Sequence, residues 1–166
     1  LTSEVDLEAE LAVVIGRTAR RVSEAEALDH VLGYTCVNDV SARDLQMRDK
    51  QFVRAKSLDT FCPMGPALVT RDEIRDPGAL EVRSFVNDEP MQSSNTSNLI
   101  FSVPHLVSFC SQAFTLEPGD VICTGTPSGV GYFRDPKVLL GSGDVMTVEV
   151  EGIGRLANPC REVRAG

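Results

Sequence analysis

The 166-residue chain has no tryptophan, an aromatic content of 5% and only two histidines, His30 and His105. Neither histidine neighbours a cysteine pair, and none of the five cysteines falls in a Cys-x-x-Cys spacing, so no zinc site is expected. Those cysteines are Cys36, Cys62, Cys110, Cys123 and Cys160. Their odd number and scattered spacing predict reduced, mostly buried thiols in a cytoplasmic protein. No apolar run reaches the roughly 20 residues that span a bilayer. No signal-peptide pattern opens the chain. An initiator methionine is also missing, and the opening at Leu1, close to a strand, predicts that part of a longer protein precedes it. Positive charge is scarce: 16 Lys and Arg stand against 24 Asp and Glu, for a formal net charge of −8. Without a Lys/Arg run there is no phosphate-binding stripe for nucleic acid, and an anionic membrane surface is disfavoured.

What remains is an ordinary globular composition, 42% hydrophobic and 24% charged, without repeats or linkers. Residues 1–166 are read as one domain, long enough to bury about two-thirds of its unfolded surface. An acidic chain that binds an acidic substrate needs a local positive centre, and a bound cation supplies one. Residues 7–15 begin with alternation and end in an apolar run, which predicts a strand passing from half-buried to buried. Ser23 and Glu26 form a capping-box pattern for a helix ending at Gly33. A short strand is expected at 34–37, a short helix at 41–50, and another short strand at 68–69. Residues 80–86 and 91–94 flank a hairpin turn, and 102–113 read as a helix with Ser102 as its cap. A strand at 121–124 feeds a Gly-rich loop at 125–131, and a last hairpin spans 145–150 and 153–157. Many short strands with Gly/Pro turns predict an α+β, β-rich fold with a few short helices.

Chemistry is expected at a few places. Glu8 and Glu10, at i and i+2 of a strand, point to one face with Cα atoms roughly 7 Å apart. Two carboxylates there repel and resist burial unless a hard cation lies between them; taken alone, the pair reads better as a solvated strand face. Asp39 follows a strand, as a ligand or as a helix cap. Arg43 and Gln46 share a face with it if the following segment is helical. Lys56 lies in an expected loop, where it could polarise a carbonyl or hold a carboxylate. The loop carrying Thr124, Gly125 and Thr126 offers hydroxyls and backbone N–H groups to a carboxylate.

Four segments occur in fixed order: EAELAVVIG (8–16), NDVSARDLQ (38–46), KSLDTFCPMGP (56–66) and LEPGDVICTGTPSGVG (116–131). Together they resemble the catalytic domain of the fumarylacetoacetate hydrolase family over nearly the whole chain. The resemblance implies a mixed β-roll or distorted barrel, usually a homodimer. It implies Glu8, Glu10 and Asp39 as metal ligands, and Arg43, Gln46 and Lys56 as catalytic and substrate-binding side chains. Thr126, with Thr124 and Gly125 beside it, would bind substrate. Three carboxylates favour Mg²⁺, with Mn²⁺ or Ca²⁺ as alternatives. The implied activity is cleavage of a C–C bond in a 2,4-dioxo acid. Isomerisation of a hydroxy-diene-dioate or decarboxylation of oxaloacetate are alternatives on the same site, and a non-catalytic oxo-acid binder is a third. The family's water-activating His–Glu pair would precede Leu1, and His30 and His105 are expected to be structural.

Overall fold

The strand expected at 7–15 forms over Ala9–Ile15 (β2) in the computed structural model, which describes residues 1–163. A two-residue strand, Val5–Asp6 (β1), precedes it. Along β2 the odd positions Leu11, Val13 and Ile15 are fully buried and join one core cluster with Val82, Val148 and Val150. The even positions therefore project from the opposite face, and Glu10 is among them.

Two four-stranded antiparallel sheets make the body. In the first, β2 lies between Val31–Asn38 (β3) and Val121–Cys123 (β8), with Met64–Thr70 (β5) beyond β3. In the second, Glu81–Val86 (β6) and Glu89–Asn95 (β7) form one hairpin, and Val145–Val150 (β9) and Gly154–Pro159 (β10) the other. A small third sheet pairs β1 with Ser41–Ala42 (β4), bringing Asp6 opposite Ser41. This is the strand-rich α+β architecture expected, with few and short helices. No helix among the described residues is long and apolar enough to cross a membrane.

Some boundaries differ from expectation. The Ser23 capping box forms, but the helix it starts covers only Glu24–Ala27 (α1). Val31 and Gly33, expected in and at the end of that helix, pair with Ile15 and Val14 of β2 instead. Burial against a strand outweighs a local helical pattern of this length. Gly33 is needed there as a close approach, because a Cβ would lie 2.2 Å from the Val69 carbonyl oxygen. The helix expected at 41–50 starts two residues later, at Arg43–Asp49 (α2). Lys56 is not in a loop: it ends a further helix, Phe52–Lys56 (α3). Ala55 of α3 packs with Ala42 and Leu45, with Leu58 and Phe61 against them, and this small second core fixes the helix pair. The helix at Val103–Ala113 (α4) forms as expected, with the Ser102 hydroxyl accepting from His105 N. All five cysteines are free, but only Cys36 is buried, so the expectation of mostly buried thiols is corrected: Cys123 lies on the short outer strand β8 and is exposed.

Candidate metal centre

Glu8 precedes β2 directly and Glu10 lies within it, so the two carboxylates leave the same face of the chain. Asp39 follows the last residue of β3, and its N–H donates to the Glu8 carbonyl at 2.9 Å. The Asn38 side chain accepts from Glu8 N at 3.0 Å, which locks this crossing further. As a result one oxygen from each of Glu8, Glu10 and Asp39 lies within 4.8 Å of the others. The three residues that the family resemblance implies as ligands are thus brought together.

Two cations meet them. Lys56, at the end of α3, donates to Glu8 Oε2 at 2.8 Å, Asp39 Oδ2 at 2.5 Å and Ser41 Oγ at 2.9 Å. Arg43, at the start of α2 and 2% exposed, forms an ion pair with Glu8, Nη2 lying 2.7 Å from Oε1. Its Nη1 donates to Gln46 Oε1 at 3.0 Å, and Nε and Nη2 donate to Asp6 Oδ2 at 2.9 and 2.8 Å. Arg43 and Gln46 therefore do share a helix face, but the guanidinium is engaged with protein groups on every edge. Gln46 is also buried.

The Gly-rich loop closes the other side. Gly125 N–H donates to Glu10 Oε2 at 2.7 Å. The Thr124 and Thr126 hydroxyls donate to the Leu11 and Ala9 carbonyls, each at 2.9 Å, which pins the loop along β2. Behind it, Gln92 of β7 uses its whole amide. Nε2 donates to Thr126 Oγ1 and to the Pro127 carbonyl, both at 2.7 Å, while Oε1 accepts from Ala9 N at 3.0 Å and Ser84 Oγ at 2.8 Å.

Electrostatics decides what this arrangement holds. Burial pushes the Glu10 carboxyl up to about 7; the Gly125 N–H opposes this, and repulsion by Asp39 and Glu8 adds to it. Burial also raises Asp39, against the hydrogen bond from Lys56. For Lys56, burial works against the ammonium, but hydrogen bonds to Asp39 and Glu8 outweigh it and hold it charged. With all groups ionised, the four carboxylates of Asp6, Glu8, Glu10 and Asp39 face the two cations Arg43 and Lys56. Two negative charges are left over in a low-dielectric setting. A divalent ion cancels them, and three carboxylate oxygens are the hard donor set that Mg²⁺, Mn²⁺ or Ca²⁺ takes. The residues present fit such an ion.

A cavity of about 510 Å³ runs along the same loop, between 124–128 and 94–101. Among the described residues no charged side chain lines it, and Leu11 in its wall belongs to the core face of β2. The acid–base groups lie in the carboxylate cluster, which meets this cavity at Thr124, Gly125 and Thr126. The two histidines lie elsewhere: His105 contacts Glu24 at 2.8 Å between the rings of Phe101 and Phe109, and His30 is in the short 3₁₀ turn before β3.

Asp6 and Gln92 were missed from the sequence. Asp6 had a signal, since Asp6, Glu8 and Glu10 alternate, and three acids at every second position demand several cations nearby. Gln92 had none, being one polar residue in a hairpin strand.

The fold and the matched segments show that the chain belongs to the fumarylacetoacetate hydrolase family. The family model for fumarylacetoacetate (FAA) hydrolase C-terminal matches residues 2–161. Oxaloacetate tautomerase YisK of Bacillus subtilis (strain 168) is 52% identical over 158 residues, covering 95% of this chain and 52% of that protein. The chain thus spans about half the length of such curated relatives. Among solved structures, fumarylacetoacetate hydrolase from psychrophilic Exiguobacterium antarcticum superposes with a TM-score of 0.94 at 48% identity, covering 97% of this chain and 58% of that one. The 2-hydroxyhepta-2,4-diene-1,7-dioate isomerase from Mycobacterium marinum gives 0.87 at 49%, covering 95% and 59%.

Proposed function

We propose that the chain carries a divalent-cation site at which a 2-oxo dicarboxylate of the oxaloacetate class interconverts between its keto and enol forms. The observation that carries this is the meeting of Glu8, Glu10 and Asp39 within 4.8 Å beside the Lys56 ammonium, with an uncompensated charge of two. The 52% identity to an oxaloacetate tautomerase supports the choice of substrate class. When bound, the ion, Mg²⁺ or in its place Mn²⁺ or Ca²⁺, supplies Lewis acidity toward the keto oxygen and adjacent carboxylate of a 2-oxo acid.

Tautomerisation moves one proton between carbon 3 and the carbonyl oxygen and breaks no C–C bond. Lys56 supports the oxygen side: in the keto-to-enol direction its ammonium gives a proton to the oxygen where negative charge grows, water takes the proton that leaves carbon 3, and solvent re-protonates the amine; the reverse direction runs the same transfers backwards. The turn Thr124–Gly125–Thr126, pinned beside Glu10, meets the proximal carboxylate with the Thr126 backbone N–H, since its hydroxyls and the Gly125 N–H donate to protein oxygens. Gln46, with Oε1 held by Arg43, presents its amide nitrogen to the distal part of the substrate. Arg43 works from beneath, by holding a Glu8 oxygen. The working unit is a homodimer, a proposal supported by the exposed apolar side chains Ile100, Phe101 and Phe109, which need cover.

A second reading is C–C cleavage of a 2,4-dioxo acid, which expels the same kind of enolate. The close superposition on a fumarylacetoacetate hydrolase favours it. One experiment separates the two. Purified protein with Mg²⁺ or Mn²⁺ is given enol-oxaloacetate and a panel of acylpyruvates, following enol absorbance and pyruvate release. Faster loss of enol without pyruvate is expected. Pyruvate plus a free acid from an acylpyruvate selects the hydrolase instead, and oxo-acid binding without turnover of either defeats both.

A further inference from the structure

Asp6 lies at the bottom of the cluster, 1% exposed. It receives five donors. Oδ1 accepts from Leu7 N and Gly131 N, both at 2.9 Å; Oδ2 accepts from Tyr132 N at 3.0 Å and from Nε and Nη2 of Arg43. One carboxylate therefore joins the end of the Gly-rich segment to the arginine that holds Glu8. Gly131 is built for that contact: a Cβ there would meet the Val138 carbonyl at 1.8 Å and Asp6 Oδ1 at 2.9 Å.

The geometry divides the charge of Arg43. Nε and Nη2 are drawn to Asp6, and only the Nη2 edge reaches Glu8 Oε1, at 2.7 Å. The other Glu8 oxygen takes Lys56. Without a carboxylate at position 6 the guanidinium would turn its fork fully onto Glu8, as Arg and carboxylate prefer in a dry site. Glu8 would then lose the lone pairs that a cation needs.

We infer that Asp6 is a positioning residue: by holding Arg43 on one edge it keeps Glu8 oriented and available as a cation ligand. The inference rests on the carboxylate triad's proposed role as a divalent-cation site. It concerns a residue outside the group Glu8, Glu10 and Asp39. Partners of this kind, one bond removed from the ligand, change metal affinity by about 10- to 100-fold when altered.

The test is Mn²⁺ affinity of the full chain, read from free Mn²⁺ by electron paramagnetic resonance, with thermal unfolding measured alongside. Asp6→Asn keeps the size and loses the charge. It is expected to weaken Mn²⁺ binding by about 10-fold or more while the folded fraction remains native by circular dichroism. A purely structural role would lower the unfolding temperature and leave the affinity of the folded chain unchanged, which overturns the inference. Glu4→Gln is the control for simple loss of charge, since the Glu4 side chain pairs with Lys137 and not with Arg43. Affinity near wild type is expected there, and an equal fall in both variants also overturns the inference. If Asp6→Asn does not fold, Arg43→Lys tests the same relay. A lysine ammonium has three donors and no planar fork, one short of the four contacts Arg43 makes to Asp6, Glu8 and Gln46, so a comparable fall is expected and an unchanged affinity refutes the relay. A wild-type chain that binds no Mn²⁺ overturns the metal site itself, and the inference with it.

Discussion

Remove divalent ions and raise the pH, and the folded chain should lose stability through Glu10. Its carboxyl is 3% exposed and raised from 4.5 to about 7, chiefly by burial. The unfolded chain releases this proton near pH 4.5, whereas the folded chain keeps it until about 7. The folded state therefore binds more protons between those values, and stability falls as pH rises. The contribution is fully present below about 4.5 and lost on passing about 7. At about 1.4 kcal/mol per pH unit, the gap corresponds to about 3 kcal/mol, with Asp39 adding in the same direction. The assay is urea unfolding in chelator from pH 4.5 to about 8, on wild type and Glu10→Gln. A protonated glutamic acid and a glutamine are near-isosteres, so the two proteins should match at the acid end and diverge by about 3 kcal/mol at the alkaline end, wild type being the weaker. Mg²⁺ at about 100 times its dissociation constant should then return about 2.7 kcal/mol to the wild type. Parallel curves for the two proteins, or a wild type that gains stability with pH, would refute the reasoning.

Three further outcomes follow from the same contacts. Lys56→Met removes the ammonium that shares Glu8 and Asp39, so turnover should fall by about 100-fold or more while Mn²⁺ binds at least as tightly as to wild type; a parallel loss of both, measured by initial rates and metal titration, contradicts the role given to Lys56. Gln92→Leu strands the buried Ala9 N–H and frees Thr126, and should cost about 2 to 3 kcal/mol in denaturant unfolding, with Mn²⁺ affinity the lesser casualty. Gly131→Ala drives a methyl into the Val138 carbonyl, and a loss of several degrees in unfolding temperature is expected; an unchanged melt would show that the 131–138 turn yields freely.

The parts of the fold readable in the chain were those set by burial of one face. The alternation of Leu11, Val13 and Ile15 marked β2, and its opposite parity placed Glu8 and Glu10 together. The Ser102 cap and Pro104 marked α4 for local reasons, and that helix has the limits expected of it. What failed was where a distant partner decided. Val31 and Gly33 look helical beside the Ser23 cap, yet β2 claims them for a strand. Lys56 looks like a loop lysine, yet Ala55 docks on Ala42 and Leu45 and makes that turn a helix. In the site, Asp39 could be ranked above a helix cap only by resemblance, because its meeting with Glu8 depends on the β2–β3 crossing. Arg43 shows the same limit: its spacing from Asp39 was legible, but its capture by Asp6 was not, since the β1–β4 pairing that brings them together is two residues long.

Whether Glu8, Glu10 and Asp39 together hold one divalent ion is read directly by titration calorimetry with Mn²⁺ on the chelator-treated chain. One ion per chain is predicted for the wild type, with binding abolished when Glu8→Gln, Glu10→Gln and Asp39→Asn are combined. Binding of equal strength in the triple variant, or none in the wild type, would contradict the account.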